Sequence, residues 1–256
     1  MIRNTFQFLP KIKQKKEENL WKQGILTGDD FLKSRAKGIS KKSKAYYDRQ
    51  ISEAKIALRE SDSSYFCGKL SSAETWCLYD HFREEAVFLD IEASDASLSS
   101  YLTVIGLFDG VRTKTMIRDV NFDEAILKKE LAAYKLIVTF NGNNFDIPFL
   151  NKKYPGIVPT IPIIDLRHLC ARIRLTGGLK EIEEQLGIKR HNAIVERLYG
   201  GDPLKLWRMF KGSGDDYYLK LLVEYNEEDV INLKKIAEHV VSILRKEIVS
   251  KHMINY

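Results

Sequence analysis

The chain has 256 residues, of which 44% are hydrophobic and 30% are charged, a balance typical of globular proteins with a sizeable core. No stretch approaches the ~20 apolar residues of a membrane span and no signal-peptide pattern opens the chain, so we expect no membrane partner. The three cysteines lack a CxxC pair, which argues against a disulfide framework or a zinc site. They predict a reduced, cytoplasmic protein without a disulfide partner.

The formal net charge of +6 is unevenly distributed along the chain. Residues 1–60 contain 15 Lys and Arg against 7 Asp and Glu, a balance of +8, whereas the remainder is slightly acidic. Because Lys and Arg bind phosphates with release of counterions, this surplus predicts a polyanionic partner. A merely solvated, lysine-rich helical surface is the alternative. The candidate phosphate contacts are the lysines at positions 33, 37, 41, 42 and 44.

Residues 1–84 form the first of two units, a basic and mostly helical extension that precedes residues 85–256. A short strand is expected at Thr5–Leu9, where Pro10 stops it. Helices are expected over Glu17–Gly24, from Thr27, over Ser43–Leu58 and around Trp76–Phe82.

The segment Ala86–Ser94, AVFLDIEAS, predicts a strand that is buried on both faces. Its two acids, Asp90 and Glu92, are two residues apart and therefore project to the same side. Like charges so close together resist joint ionisation unless a cation neutralises them, and oxygen ligands suit Mg²⁺ or Mn²⁺. Two solvated acids at the end of a strand are the alternative.

The elements that follow predict an α/β fold. Tyr101–Leu107 and Val111–Ile117 read as a hairpin, and a helix capped by Asn121 or Asp123 comes next. Further strands are expected at Leu136–Phe140 and Ile161–Leu166. We therefore expect a mixed sheet of three N-terminal antiparallel strands plus two parallel strands, flanked by helices.

A third acid follows the strand at Leu136–Phe140. The sequence Phe140–Leu150, FNGNNFDIPFL, places Asp146 at the start of a helix, at the carboxyl edge of the sheet where α/β folds bind ligands. An ordinary helix cap is the alternative. The aromatic residues on both sides and the preceding Asn-rich loop favour a site.

The fourth acid lies on a helix predicted from about Tyr217 to Lys246. Tyr225 and Asp229 fall on its apolar stripe, and a buried carboxylate is costly unless it is paired or bound to metal. Earlier in this region, Gly177-Gly178 introduces a short helix, and Arg190 and His191 follow it. These two residues are candidate substrate contacts, although a lone histidine is more often structural.

Together these segments resemble the DEDD superfamily of 3′–5′ exonucleases, which have a ribonuclease H-like fold. LDIE matches motif I, NGNNFDIPFL is similar to motif II of family-B polymerase proofreading domains, and YNEED matches the tyrosine (DEDDy) form of motif III. The extension, with TFQFLP and ENLWKQGI, is similar to that of YprB-type exonucleases. The superfamily resemblance covers about residues 85–245.

The resemblance implies a two-metal-ion exonuclease that acts on single-stranded DNA or RNA 3′ ends. The metal ligands for two Mg²⁺ or Mn²⁺ ions would be Asp90, Glu92, Asp146 and Asp229. Tyr225 would orient the attacking water, while Asn141 and Phe145 would contact substrate and Asp165 would contact the sugar or support the site. A non-catalytic nucleic-acid-binding module and a hybrid-specific endonuclease are the alternatives.

Overall fold

The computed structural model describes residues 1–94, 100–190 and 202–252. The extension contains helices α1 to α4 and three single turns of 3₁₀ helix. The helices span Gln14–Lys22, Gly28–Lys33, Lys41–Arg59 and Tyr79–Phe82, and the turns span Ser63–Phe66, Thr75–Leu78 and Arg83–Glu85. Thr27 begins α2 with a capping box, as its hydroxyl group predicts. The helix expected around Trp76–Phe82 is broken into shorter pieces.

The prediction of a strand at Thr5–Leu9 is wrong, because this segment forms turns. Its apolar side chains are buried, and the Glu17 carboxylate of α1 accepts hydrogen bonds from the Phe6 N–H and the Thr5 hydroxyl, both at 2.6 Å. A side chain thus supplies an acceptor that a neighbouring strand would have supplied. The segment therefore enters the core without a sheet partner.

The remainder of the described chain is built on a five-stranded sheet in the order β3-β2-β1-β4-β5. Its strands β1 to β5 span Ala86–Ala93, Leu102–Phe108, Thr113–Ile117, Leu136–Thr139 and Ile163–Asp165. β1, β2 and β3 pair antiparallel, whereas β4 pairs parallel with both β1 and β5. The predicted mixed sheet is confirmed.

Helices α5 to α10 flank this sheet, spanning Glu124–Leu131, Asp146–Lys153, Leu166–Arg172, Leu179–Gln185, Pro203–Ser213 and Asp216–His252. The last helix, α10, has 37 residues and packs across β1, β2 and β3. Its length exceeds the predicted span at both ends. Neither α10 nor any other helix in the described ranges carries an apolar stretch suited to crossing a bilayer.

The two faces of β1 are buried in different apolar clusters. Val87 and Leu89 pack with residues of α5 and α6, whereas Phe88 lies in the cluster that contains residues of α10. That second cluster continues into the extension, where it includes Phe6 and Trp76. Because alternate strand residues share a face, the acids that follow Phe88 at two-residue intervals also point toward α10.

Candidate metal-binding active site

Three of the predicted metal ligands meet where β1 faces α10. One carboxylate oxygen from each of Asp90, Glu92 and Asp229 lies within 4.8 Å of the other two. Asp229 is 5% exposed, so the helix brings its carboxylate to a buried position beside the strand. Clustered carboxylate oxygens are the donors that Mg²⁺ and Mn²⁺ prefer. The residues present therefore fit a divalent cation.

Burial and mutual repulsion disfavour the ionised forms of these carboxyl groups. Burial, together with the charges of the neighbouring acids, raises the pKa of Asp90 and of Glu92 well above the usual range. Burial also raises the pKa of Asp229 to about 7, although the Arg190 guanidinium opposes that shift. The group therefore attracts positive charge at neutral pH, either as protons or as a metal ion.

Asp146 lies next to this group but outside the set of three whose oxygens lie within 4.8 Å of one another. It is the first residue of α6 and is 3% exposed. Its Oδ1 accepts a hydrogen bond of 3.1 Å from the Ile91 N–H, on the strand residue between Asp90 and Glu92. Burial raises the pKa of Asp146 to about 7, and its charge contributes to the raised pKa of Asp90. Phe145, rather than Asp146, occupies the N-cap position of α6.

Tyr225 lies one helical turn before Asp229 on α10. Burial, followed by the negative charges of Asp229 and Glu92, raises the pKa of its hydroxyl. The ring lies 5.0 Å from the Lys180 ammonium and 5.2 Å from the Arg190 guanidinium. A tyrosine in this setting keeps its proton at neutral pH, so it can donate a hydrogen bond but does not serve as a base.

Arg190 links the carboxylates of α8 and α10. Its Nε and Nη2 donate to the two oxygens of Glu183 at 2.6 and 3.0 Å, and Nη2 also donates to Asp229 Oδ1 at 2.5 Å. Glu183 is 2% exposed and accepts a further hydrogen bond of 3.0 Å from Asn232. The sequence predicted a substrate contact at Arg190, whereas the structure places its guanidinium between two buried acids. His191 lies outside the described residues.

Asn226 is a buried partner of Asp90 that the sequence analysis missed. Its Nδ2 donates to Asp90 Oδ2 at 2.9 Å. The amide lies against Gly106 of β2, which pairs directly with Asp90, and a Cβ atom at Gly106 would come within 2.1 Å of Asn226 Oδ1. Glycine in the middle of a strand often marks such a close approach. Gly106 could have indicated a close contact in the middle of this strand. The sequence pattern, however, gives no means of identifying Asn226, 120 positions away, as the residue that makes the contact.

The predicted substrate contacts lie around the loop before α6. Asn141 has a positive φ of 62° and donates its N–H to Asp165 Oδ1 at 2.8 Å. Asp165 is 3% exposed, and its other oxygen accepts from the Asn143 N–H at 3.2 Å. Phe145 is 39% exposed and packs beside the Phe149 ring. Asp165 therefore holds the loop backbone in place through these hydrogen bonds, whereas the ring of Phe145 is accessible to solvent.

Residues 87–241 match the sequence model of the RNase_H_2 family, which belongs to the RNase_H superfamily. A similar solved structure is that of the family B DNA polymerase from the hyperthermophilic archaeon Pyrobaculum calidifontis, with 16% sequence identity and a TM-score of 0.46. The similarity covers 61% of this chain and 24% of the polymerase chain. No curated protein matches the chain.

Proposed function

Because the chain belongs to the RNase_H superfamily, we propose that it is a metal-dependent 3′–5′ exonuclease of the DEDDy type, similar to the YprB-type exonucleases. Its substrate would be single-stranded DNA or RNA. The observation that carries this proposal is the group formed by Asp90, Glu92 and Asp229, whose carboxylate oxygens lie within 4.8 Å of one another. Tyr225 lies one helical turn away, as the DEDDy pattern requires.

Asp90, Glu92 and Asp229 would hold divalent cations, with Asp146 as the fourth acid beside them. Two bound Mg²⁺ or Mn²⁺ ions would supply an acidified water and neutralise charge on the phosphate during an in-line displacement. The protein's part is to keep the carboxylates close and to oppose, in part, the rise of their pKa values. Asn226 holds Asp90 through its amide, and Arg190 favours the ionised form of Asp229.

Other groups would align the substrate. The protonated Tyr225 hydroxyl is suited to donate a hydrogen bond to the attacking water or to a phosphate oxygen. Phe145 provides an exposed ring on which a base can stack, and Asn141 lies four residues before it on the same loop. Asp165 would act through the loop backbone, since its oxygens are engaged by the N–H groups of Asn141 and Asn143.

A non-catalytic binding module is less well supported by the same observation. Buried carboxylates with raised pKa values destabilise a fold at neutral pH, and a protein without a bound cation gains nothing from keeping them. A hybrid-specific endonuclease would use the same chemistry. The position of the first cut distinguishes an endonuclease from an exonuclease.

A panel of single-stranded DNA, single-stranded RNA and RNA–DNA hybrids, labelled at either end, tests the proposal with Mg²⁺, Mn²⁺ or EDTA. We expect a 5′-labelled strand to shorten one nucleotide at a time and a 3′-labelled strand to release a labelled mononucleotide at once. The variant Asp229→Asn should be inactive, whereas Glu238→Gln, an exposed acid on the same helix, should retain activity. Internal first cuts, activity in EDTA, or equal activity of both variants would overturn the proposal.

A further inference from the structure

The extension contains a cavity of about 740 Å³ that the proposed chemistry does not use. It is open to solvent and is lined by the first residues of the chain, the beginning of α2 and the second half of α3. None of the acids of the candidate active site lines it. A cavity of this size is in the range of ligand-binding pockets, which are ~300–1,000 Å³. It therefore requires an explanation separate from that of the carboxylate group.

The charged residues that line the cavity are mostly basic. They are Arg3, Lys55 and Arg59, against the single acid Asp29. Lys55 forms an ion pair with Asp29, and its hydrogen bond, followed by its positive charge and those of Lys33 and Arg3, lowers the pKa of the Asp29 carboxyl. The only acid of the lining is thus neutralised by its neighbours. The cavity keeps a surplus of positive charge that favours an anion.

The wall of the cavity is mainly apolar. Its aromatic members Phe6, Phe8 and Phe66 are at most 6% exposed, whereas the aliphatic Ile56 is 46% exposed and presents apolar surface to a ligand. A ligand that matches such a site has an apolar part joined to a negative group. A nucleotide has this combination, because its base gains from apolar contact and its phosphate gains from Arg and Lys.

We propose that this cavity binds one nucleotide of a single-stranded nucleic acid, with the base against the apolar wall and the phosphates at Arg3 and Arg59. The balance of +8 in residues 1–60 supports a strand rather than a free nucleotide, because the surrounding basic surface would meet further phosphates. The inference rests on the proposed function and adds a second contact between the protein and its substrate strand.

Fluorescence anisotropy with a labelled oligo-dT 20-mer, carried out in EDTA so that no hydrolysis occurs, measures this contact. We expect Arg3→Glu and Arg59→Glu each to weaken binding about tenfold and to flatten the salt dependence by about 0.7 for each lost phosphate contact. Lys15→Glu, the same charge change at an exposed position of α1 outside the cavity, should have a smaller effect. Equal effects of all three variants would contradict a specific cavity site.

A second pair of variants tests the cavity without changing its charge. Ser52→Trp would introduce an indole ring at a position that lines the cavity, whereas Ala45→Trp places the same ring on an exposed part of α3 outside it. We expect only Ser52→Trp to weaken binding of the 20-mer. Unchanged binding in Ser52→Trp, with thermal unfolding like that of the wild type, would overturn the proposal.

Two further measurements separate the possible outcomes. Millimolar dTMP should compete weakly with the 20-mer; complete displacement at micromolar dTMP would identify a free-nucleotide site and overturn binding of a strand. Hydrolysis of a small p-nitrophenyl phosphodiester by the wild-type protein with Mn²⁺ tests the active site alone. Failure of that reaction would count against the proposed nuclease activity. The anisotropy data would still test whether the cavity binds a nucleic-acid strand.

Discussion

Two regions of the molecule bury acidic side chains in opposite ways. In the extension, Glu17 is 1% exposed, and its carboxylate accepts hydrogen bonds from Thr5, Phe6 and Gln7 at 2.6 to 2.7 Å. Burial raises its pKa, but these neutral donors oppose the shift. At the junction of β1 and α10, the acids instead face one another. A buried acid with satisfied hydrogen bonds is structural, whereas buried acids that face other acids indicate a cation site.

The largest expected effect follows from removing one member of the carboxylate group. Asp90→Asn or Glu92→Gln should lower nuclease activity by more than the ~10–100-fold that is typical for loss of a supporting residue. Without metal at pH 8, the same variants should unfold about 2–4 °C above the wild type, because one repulsive charge is gone. Activity assays and thermal unfolding in EDTA measure both effects. A fall in both the activity and the unfolding temperature would indicate that these acids have a structural role, like Glu17.

Loss of the Asn226 amide should have the next largest effect. Asn226→Ala removes the hydrogen bond to Asp90, and Gly106→Ala forces the amide away, so each should lower apparent Mn²⁺ affinity by about 10–100-fold. Gly212→Ala, on α9 with open space around its Cα, is the matched control. Titration of Mn²⁺ against activity gives the affinity. If saturating Mn²⁺ failed to rescue Asn226→Ala, its role would extend beyond positioning the metal ligand.

Removing the Arg190 cation should shift the pH dependence. The Asp229 pKa of about 7 already includes a lowering by Arg190, so Arg190→Gln should raise it further. At limiting Mg²⁺, the rise of activity with pH should therefore move to higher pH. Arg190→Lys, which keeps the charge, should shift it less. An unchanged profile in Arg190→Gln would mean that Asp229 does not depend on this cation.

The smallest expected effect concerns Glu17 and is confined to stability. Glu17→Ala leaves buried donors without an acceptor and should destabilise the fold by about 1–3 kcal/mol in denaturant unfolding. Glu18→Ala, the next residue on α1, should remain within about 0.5 kcal/mol of the wild type. A stabilised Glu17→Ala variant would remove the distinction between the two regions.

Much of the site could be predicted, because local periodicity determines which side chains share one face of a strand or helix. Alternation on a strand places Asp90 and Glu92 on one face, and helical spacing places Tyr225 and Asp229 on the buried stripe of α10. Contacts between distant segments could not be predicted in this way. The fit of Asn226 against Gly106 depends on how α10 lies across the sheet, and this orientation is set by packing of the whole core.

Partners from distant segments also could not be predicted for single side chains. Arg190 is a candidate substrate contact by sequence, and the structure adds that its guanidinium donates to Glu183 and Asp229. Glu227 lies next to Asn226 on α10, and its carboxylate accepts from the hydroxyls of Thr113 and Thr115, each at 3.1 Å. Sequence patterns give the face of an element, but they do not give the partner that covers it.

The raised pKa values predict how the stability of the protein depends on pH. In the folded protein the carboxyl groups prefer to be protonated. Their contribution to stability is therefore complete below the unfolded-state pKa near ~4 and is lost as the pH rises through the folded-state pKa. These values are about 7 for Asp146 and for Asp229. The metal-free protein should therefore become less stable between pH 5 and 8, and a divalent cation should reverse the loss at pH 8.

Calorimetric titration of Mn²⁺ into the wild type and into Asp229→Asn at pH 8 tests the central claim most directly. If Asp90, Glu92 and Asp229 bind a cation together, we expect saturable binding to the wild type and strongly weakened binding to the variant, with Glu238→Gln unchanged. Equal binding to all three proteins, or no binding to the wild type, would contradict the account.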